Sequence, residues 1–219
     1  LTFLAAALRL VLPARWGGKA LRRAMNGIID GWVSGNRWVF GWLNPTPISV
    51  HGLEGLGRDQ WVLVLANHQS WTDILLLQNT LRPHLPPLKF FTKRELLWLP
   101  FLGQAMWALD FPFMHRYSPA YLERHPEKRG KDLETTRRAC AHFRHTPTAV
   151  INFVEGTRWT PEKHAAQASP YPRLLKPRAG GTGFVLSALG DQLDRYVDVT
   201  LRYHTEKPNF WRYLCGRLG

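Results

Sequence analysis

The run Trp61-Val62-Leu63-Val64-Leu65-Ala66-Asn67-His68-Gln69-Ser70-Trp71-Thr72-Asp73-Ile74-Leu75-Leu76-Leu77 holds two apolar segments joined by a polar turn. The first is short and rich in bulky and β-branched residues, as a buried strand is. The second opens behind Ser70 with Asp73 three residues on, a helix-start pattern. His68 is therefore expected in a tight turn between a strand's carboxyl end and a helix's amino end, where open α/β sheets bind ligands. Asp73, one turn along, can reach the imidazole. Two readings of the pair stand at this point. Asp73 is a capping partner of Ser70 and His68 a turn residue, or the two form a base with its orienting carboxylate.

Working outward, Ile48-Ser49-Val50-His51-Gly52 alternates and reads as a preceding strand. Leu88-Lys89-Phe90-Phe91 is another strand, and a short helix from Lys93 to Leu97 is ended by Pro100 and Gly103. A strand is expected around Asp110–Met114, and a helix from Ser118 to His145. Ala149–Val154 is the clearest buried strand. Trp159–Pro177 reads as a long polar loop, Gly180–Leu189 as a helix and Val197–Leu201 as a last strand. Strands alternating with helices give the α/β class. The expected architecture is a single domain over residues 44–219, with a mixed central sheet flanked by helices.

Residues 1–43 read as a separate helical segment. Leu1–Leu12 is apolar apart from Thr2 and Arg9, and Met25–Leu43 carries Trp32, Trp38 and Trp42 beside basic residues. Short apolar helices with aromatic and basic residues lie in membrane surfaces. The competing reading is a helix pair packed on the domain; a third makes Leu1–Leu12 the tail of a spanning helix. The chain opens on Leu1 rather than Met, so trimming at one or both ends is expected. It shows no secretory signal and no apolar stretch of the roughly 20 residues that span a bilayer.

The 219 residues are 45% hydrophobic, which excludes a disordered chain, and carry a formal charge of +13. Such a surplus implies an anionic partner: nucleic acid, acidic lipid or a phosphorylated substrate. A nucleic-acid-binding module is the rival class, but the chain offers no stacking motif or recognition helix. Cys140 and Cys215 have neither metal nor redox spacing, consistent with a reducing compartment.

Four clusters bear on chemistry. A neutral His is a good base near neutral pH, and a carboxylate on its other nitrogen fixes the tautomer. No Ser or Cys stands out as a nucleophile, so a base at His68 would act on a substrate hydroxyl. Glu155-Gly156-Thr157-Arg158 follows the best strand. It reads either as a turn closed by a Glu155–Arg158 ion pair or as a phosphate-contacting loop. Lys93, Arg94 and Arg116 are a third group, suited to an anion or to the surface. Lys176-Pro177-Arg178, before the glycine-rich helix start, is a secondary anion candidate or a simple join. No ligand spacing supports a metal at His68, Asp73 and Glu155.

Asn67-His68 followed by Asp73, then Lys93…Leu96…Pro100…Gly103, then Phe113-Met114-His115-Arg116, then Phe153-Val154-Glu155-Gly156-Thr157-Arg158 resembles, in order, the blocks of the glycerolipid acyltransferases. These include the 1-acylglycerol-3-phosphate O-acyltransferases. The stretches Arg158–His164 and Leu175–Gly181 look like the branch of the lysocardiolipin and related lysophospholipid acyltransferases. The resemblance covers roughly residues 45–205. It implies that His68, oriented by Asp73, deprotonates the free hydroxyl of a lysophospholipid, most simply 1-acylglycerol-3-phosphate. That oxygen would attack an acyl-CoA or acyl-carrier-protein thioester, a co-substrate rather than a cofactor, with no metal. It makes Lys93, or a nearby backbone N–H, an oxyanion candidate and matches Asn67, Arg116, Glu155, Gly156, Thr157 and Arg158 to acceptor binding. An enzyme at a membrane's cytoplasmic face, the inner membrane if bacterial, and without a nucleic-acid partner, is the corresponding expectation. An acceptor that is another lysophospholipid, or not a lipid, remains an alternative. Two positions depart from the pattern: Asp110 stands where glycine is usual, and Val197–Thr200 lacks the proline common in the last block.

Overall fold

The structure, a computed structural model, describes residues 14–43, 47–100, 102–109, 111–114, 119–126, 134, 141–205 and 208–215. The helices are α1 (Ala14–Leu43), α2 (Thr72–Leu81), α3 (Leu102–Ala108), α4 (Pro119–Arg124), α5 (Pro161–Gln167), α6 (Ala179–Leu189) and α7 (Phe210–Leu214). The strands are β1 (Val62–Ala66), β2 (Leu88–Phe90), β3 (Thr92–Lys93), β4 (Phe113–Met114), β5 (Ala149–Phe153) and β6 (Arg195–Val199). Four strands form the main sheet in the order β2-β5-β1-β6, and β3 pairs with β4 beside it.

β1 and β5 are apolar runs because both faces of the sheet are covered. On one face Val62, Val64, Ala66 and Ile151 pack with Leu77 and Leu81 of α2 and with Leu85. On the other, Leu63 and Val150 meet Phe143 and Val185, Ala188 and Leu189 of α6. The α/β class with flanking helices is thus as the sequence implies. All the ladders among the described residues are parallel, without the antiparallel pairing that would make the sheet mixed. Helices or long crossovers separate the paired strands, as parallel pairing requires.

The register decides where chemistry can sit. Ala66 lies opposite both Phe153 and Val199, so β1, β5 and β6 end level. The segments that follow them, Asn67–Asp73, Val154–Arg158 and Thr200–Tyr203, therefore emerge at one edge of the sheet.

α1 is one helix. Met25, Ile29 and Val33, four residues apart, are buried. Asp30 pairs with Arg82 and Arg58, tying α1 to the domain. Trp32, Trp38 and Trp42 are 64%, 73% and 77% exposed. The packed-helix reading therefore holds for one stripe, while the tryptophans face outward. Among the described residues no helix is long and apolar enough to cross a membrane. The expected Leu1–Leu12 helix lies outside the described residues, as does half of the expected Ser118–His145 helix, whose described parts include α4 and a 3-10 turn at Ala141–His145.

Several expectations are corrected. Ile48–Gly52 is not a strand; Ile48 and Val50 line a groove with Phe40 of α1 and Tyr213 of α7, which uses the same alternation. Gly103 does not end the preceding helix but sits inside α3. A Cβ there would come within 2.2 Å of the Leu97 carbonyl oxygen, so the glycine permits a close backbone approach. The Trp159–Pro177 loop contains α5, started by Pro161 and by Thr160, whose hydroxyl accepts the Lys163 N–H at 3.3 Å. The last strand is two residues earlier than read.

Candidate active site

The turn after β1 is clamped from both sides. Asn67, 7% exposed, accepts the Leu201 N–H at 2.7 Å and donates to the Leu201 carbonyl at 2.9 Å. Gln69 donates to the same carbonyl at 3.0 Å. On the β5 side, Glu155 is 1% exposed. One carboxylate oxygen accepts the His68 N–H at 2.9 Å, and the other the Leu175 N–H at 2.8 Å. The Trp159 N–H donates to the His68 carbonyl at 2.7 Å. Burial pushes the Glu155 carboxyl above the usual range, and its two N–H donors pull the other way.

Asn67 and Glu155 thus turn inward and hold backbone. The Glu155–Arg158 ion pair, one of the two readings of this turn, is not formed: Glu155 is buried on the His68 and Leu175 N–H groups, while the Arg158 guanidinium lies over the Trp71 ring.

His68 is fixed by this frame. Its ring stacks on Phe153 with centroids 4.0 Å apart, and its Nδ1 lies 2.8 Å from Asp73 Oδ2. The side chain is 15% exposed. Its Nε2 has no hydrogen-bond partner among the described residues. Asp73 is fully buried. Its Oδ2 also accepts the N–H groups of Gln69, at 2.6 Å, and Ser70, at 2.9 Å. The Ser70 hydroxyl in turn accepts the Thr72 N–H at 3.2 Å. The two readings of Asp73 are therefore not alternatives: one carboxylate starts α2 and holds the imidazole. Its other oxygen, Oδ1, accepts the hydroxyl of Tyr203. Sequence reading missed Tyr203, which lies beyond the last strand and carries no motif signal.

Gly156 has φ +68°, and a Cβ on it would lie 3.2 Å from Arg178 Cδ. Glycine both permits the turn and lets Arg178 lie across it. The Arg178 N–H donates to the Val154 carbonyl at 2.7 Å. Thr157 accepts from Lys163 Nζ at 2.8 Å, and the same ammonium reaches the Arg158 carbonyl at 3.0 Å. The Arg158 guanidinium lies over the Trp71 ring, 5.2 Å from its centroid. Arg158, Lys163 and Arg178 thus gather about one turn; Lys163 was visible in sequence only as part of the longer motif.

Of the glycines opening α6, Gly181 has a packing role, while a Cβ on Gly180 or Gly183 would meet nothing within 4 Å. A Cβ on Gly181 would lie 2.5 Å from Asn152 Oδ1, and Asn152 bonds Thr182 at 2.9 Å. Lys176 is exposed, with its N–H on Gln167 at 3.0 Å. Lys93 is exposed on the small β3–β4 ladder, and no described hydrogen bond joins it to His68. Arg116 lies outside the described residues. Among those residues no group of three His, Cys, Asp or Glu side chains is placed to hold a metal ion.

A carboxylate-backed imidazole with an unengaged Nε2 can take a proton from a bound group. Among the described residues no Ser or Cys is bonded to His68, so the arrangement suits an external hydroxyl better than a protein nucleophile.

Comparison with known proteins agrees with this chemistry. The model of the Acyltransferase family matches residues 47–196. The chain is 29% identical over 187 residues to 1-acyl-sn-glycerol-3-phosphate acyltransferase 3 of Arabidopsis thaliana, covering 78% of this chain and 46% of that protein. It is 29% identical over 96 residues to the 1-acyl-sn-glycerol-3-phosphate acyltransferase of Salmonella typhimurium, covering 44% and 34%. The chain thus spans half or less of the length of these curated relatives. The crystal structure of the 1-acyl-sn-glycerophosphate acyltransferase PlsC from Thermotoga maritima superposes with a TM-score of 0.52 at 18% identity, over 91% of this chain and 73% of that one. That likeness bears on the fold.

Proposed function

The chain belongs to the acyltransferase family, and from that premise we propose that it moves a fatty acyl group from an acyl thioester to the free hydroxyl of 1-acylglycerol-3-phosphate, giving phosphatidic acid. One observation carries the reading: His68, backed by Asp73 at 2.8 Å, stands at the common end of β1, β5 and β6, and among the described residues no Ser or Cys is bonded to it. The names of the relatives supply the acceptor.

In this reading Nε2 of His68 takes the acceptor's hydroxyl proton as its oxygen bonds to the thioester carbonyl carbon. The carbonyl π electrons move to oxygen, and Lys93 is the side chain proposed for that charge. Collapse re-forms the carbonyl and expels the thiolate of coenzyme A or acyl-carrier protein, which takes the proton back from His68. Asp73 stabilises the imidazolium between these steps. Arg158, with Lys163 and Arg178 about the same turn, meets the acceptor phosphate, and Arg116 is assigned to the same group by the resemblance of its block. Asn67 and Glu155 serve by holding the turn.

The division into a membrane-associating segment, residues 1–43, and a catalytic domain, residues 44–219, belongs to the same proposal, at a membrane's cytoplasmic face. The outward tryptophans of α1 support it, as does the net charge: cations near an anionic surface contribute about 1 kcal/mol each. Replacing Trp32, Trp38 and Trp42 together by Ser is expected to leave the fold intact and sharply lower co-sedimentation with anionic vesicles. Undiminished pelleting removes α1 from the membrane contact.

Labelled acyl-CoA assayed against a panel of lysophospholipids and water-soluble alcohols tests the reaction. Transfer should be fastest to 1-acylglycerol-3-phosphate, and transfer only to a non-phosphorylated acceptor overturns the assignment. Arg158→Ala should raise KM for the phosphorylated acceptor roughly tenfold. A fall in kcat alone assigns Arg158 to the transition state instead.

A further inference from the structure

We propose that Tyr203 is a positioning residue for the reaction, acting on His68 through the far oxygen of Asp73. The inference rests on the reading of His68 as the base, and adds a third member to the pair.

The geometry separates the two carboxylate oxygens of Asp73 by task. Oδ2 accepts from the N–H groups of Gln69 and Ser70 and faces His68 Nδ1. Among the described residues Oδ1 has one partner, the Tyr203 hydroxyl. Asp73 is fully buried, so that phenol, together with the bonds on Oδ2, fixes the rotation of the carboxylate about its last bond. The segment carrying Tyr203 is registered to the same turn, because Asn67 and Gln69 make three hydrogen bonds with the backbone of Leu201, two residues earlier. Tyr203 and His68 are thus held by one frame, although 130 residues separate Tyr203 from Asp73.

A phenol that donates to a carboxylate draws charge away from it. The more charge Oδ1 gives up, the less Oδ2 stabilises an imidazolium. Burial, and then the neighbouring Asp73 charge, push the Tyr203 hydroxyl far up, so it remains a donor wherever His68 can act. The other titratable groups facing this chain are Glu155, which accepts the His68 N–H, and Tyr213 beside Tyr203. Neither bonds Oδ1. A phenylalanine at 203 could fill the same space but could not hold or polarise the carboxylate, which distinguishes positioning from packing.

Tyr203→Phe and a chain carrying 3-fluorotyrosine at 203, a stronger donor of nearly the same shape, test the proposal in opposite directions. The Phe variant should lose about three- to tenfold in kcat/KM, with the acceptor KM little changed. The acid limb of its pH–rate profile should move up. The fluorotyrosine chain should move that limb down. The same order is expected in an NMR titration of the His68 ring without substrate. That readout stands even if the panel assay finds no acyl transfer, so failure here and failure of the proposed function are distinguishable. Should the Phe variant not fold, the fluorotyrosine comparison decides alone. Identical limbs and identical His68 titrations in every folded chain overturn the role and leave Tyr203 as packing.

Discussion

His68→Ala is expected to lower acyl transfer by about 10²–10⁴-fold while the protein still folds. The fold should survive because the ties at this position are mainly backbone. The residue's N–H bonds Glu155, and its carbonyl accepts from Trp159; alanine keeps both. What disappears is the imidazole between Phe153 and Asp73. Its loss removes proton transfer in the transition state, so kcat should fall with little change in either KM. The comparison to make is the transfer rate beside the thermal midpoint. A folded His68→Ala chain of full activity excludes His68 as the base.

Asp73→Asn should have the next largest effect, and it separates the two duties of that carboxylate. Asparagine retains one carbonyl oxygen for the Gln69 and Ser70 N–H groups, so the start of α2 is kept. Its amide would face the Tyr203 hydroxyl, which can turn to accept. The negative charge opposite the imidazolium is gone. The expected result is a stability loss of about 1–2 kcal/mol and a fall in kcat of roughly 10²–10³. Asp73→Ala should lose the rate as well, and in addition a further 1 kcal/mol or so of helix start. Full activity in the Asn variant would reduce Asp73 to a cap.

The centre of the fold is readable from sequence because its signals are local. β1 and β5 are buried on both faces, which forces continuous apolar runs, and the start of α2 follows a fixed spacing from Ser70 to Asp73. β6 was displaced by two residues because it lies at the sheet's edge, with exposed side chains at Arg195, Tyr196 and Asp198. Ile48–Gly52 alternates without pairing, since a chain lining a groove shows the same period as a strand. Within the site, residue type announces polarity and not direction. Nothing local says that Asn67 and Glu155 turn inward to hold backbone while Arg158 turns out over Trp71. Tyr203 reaches Asp73 only because β1 and β6 end level, a consequence of register that no motif carries. Lys163 joins Thr157 and Arg158 because Thr160 and Pro161 start a helix inside what reads as a loop.

The central claim is direct transfer: His68 activates the acceptor's hydroxyl, and no acyl group rests on the protein. Thiol release from acyl-CoA, followed with and without 1-acylglycerol-3-phosphate alongside the mass of the intact protein, tests it most directly. The expected result is release only when the acceptor is present, one phosphatidic acid per thiol, and an unmodified chain throughout. A burst of one thiol per chain before acceptor is added, with the acyl group on the protein, would contradict it.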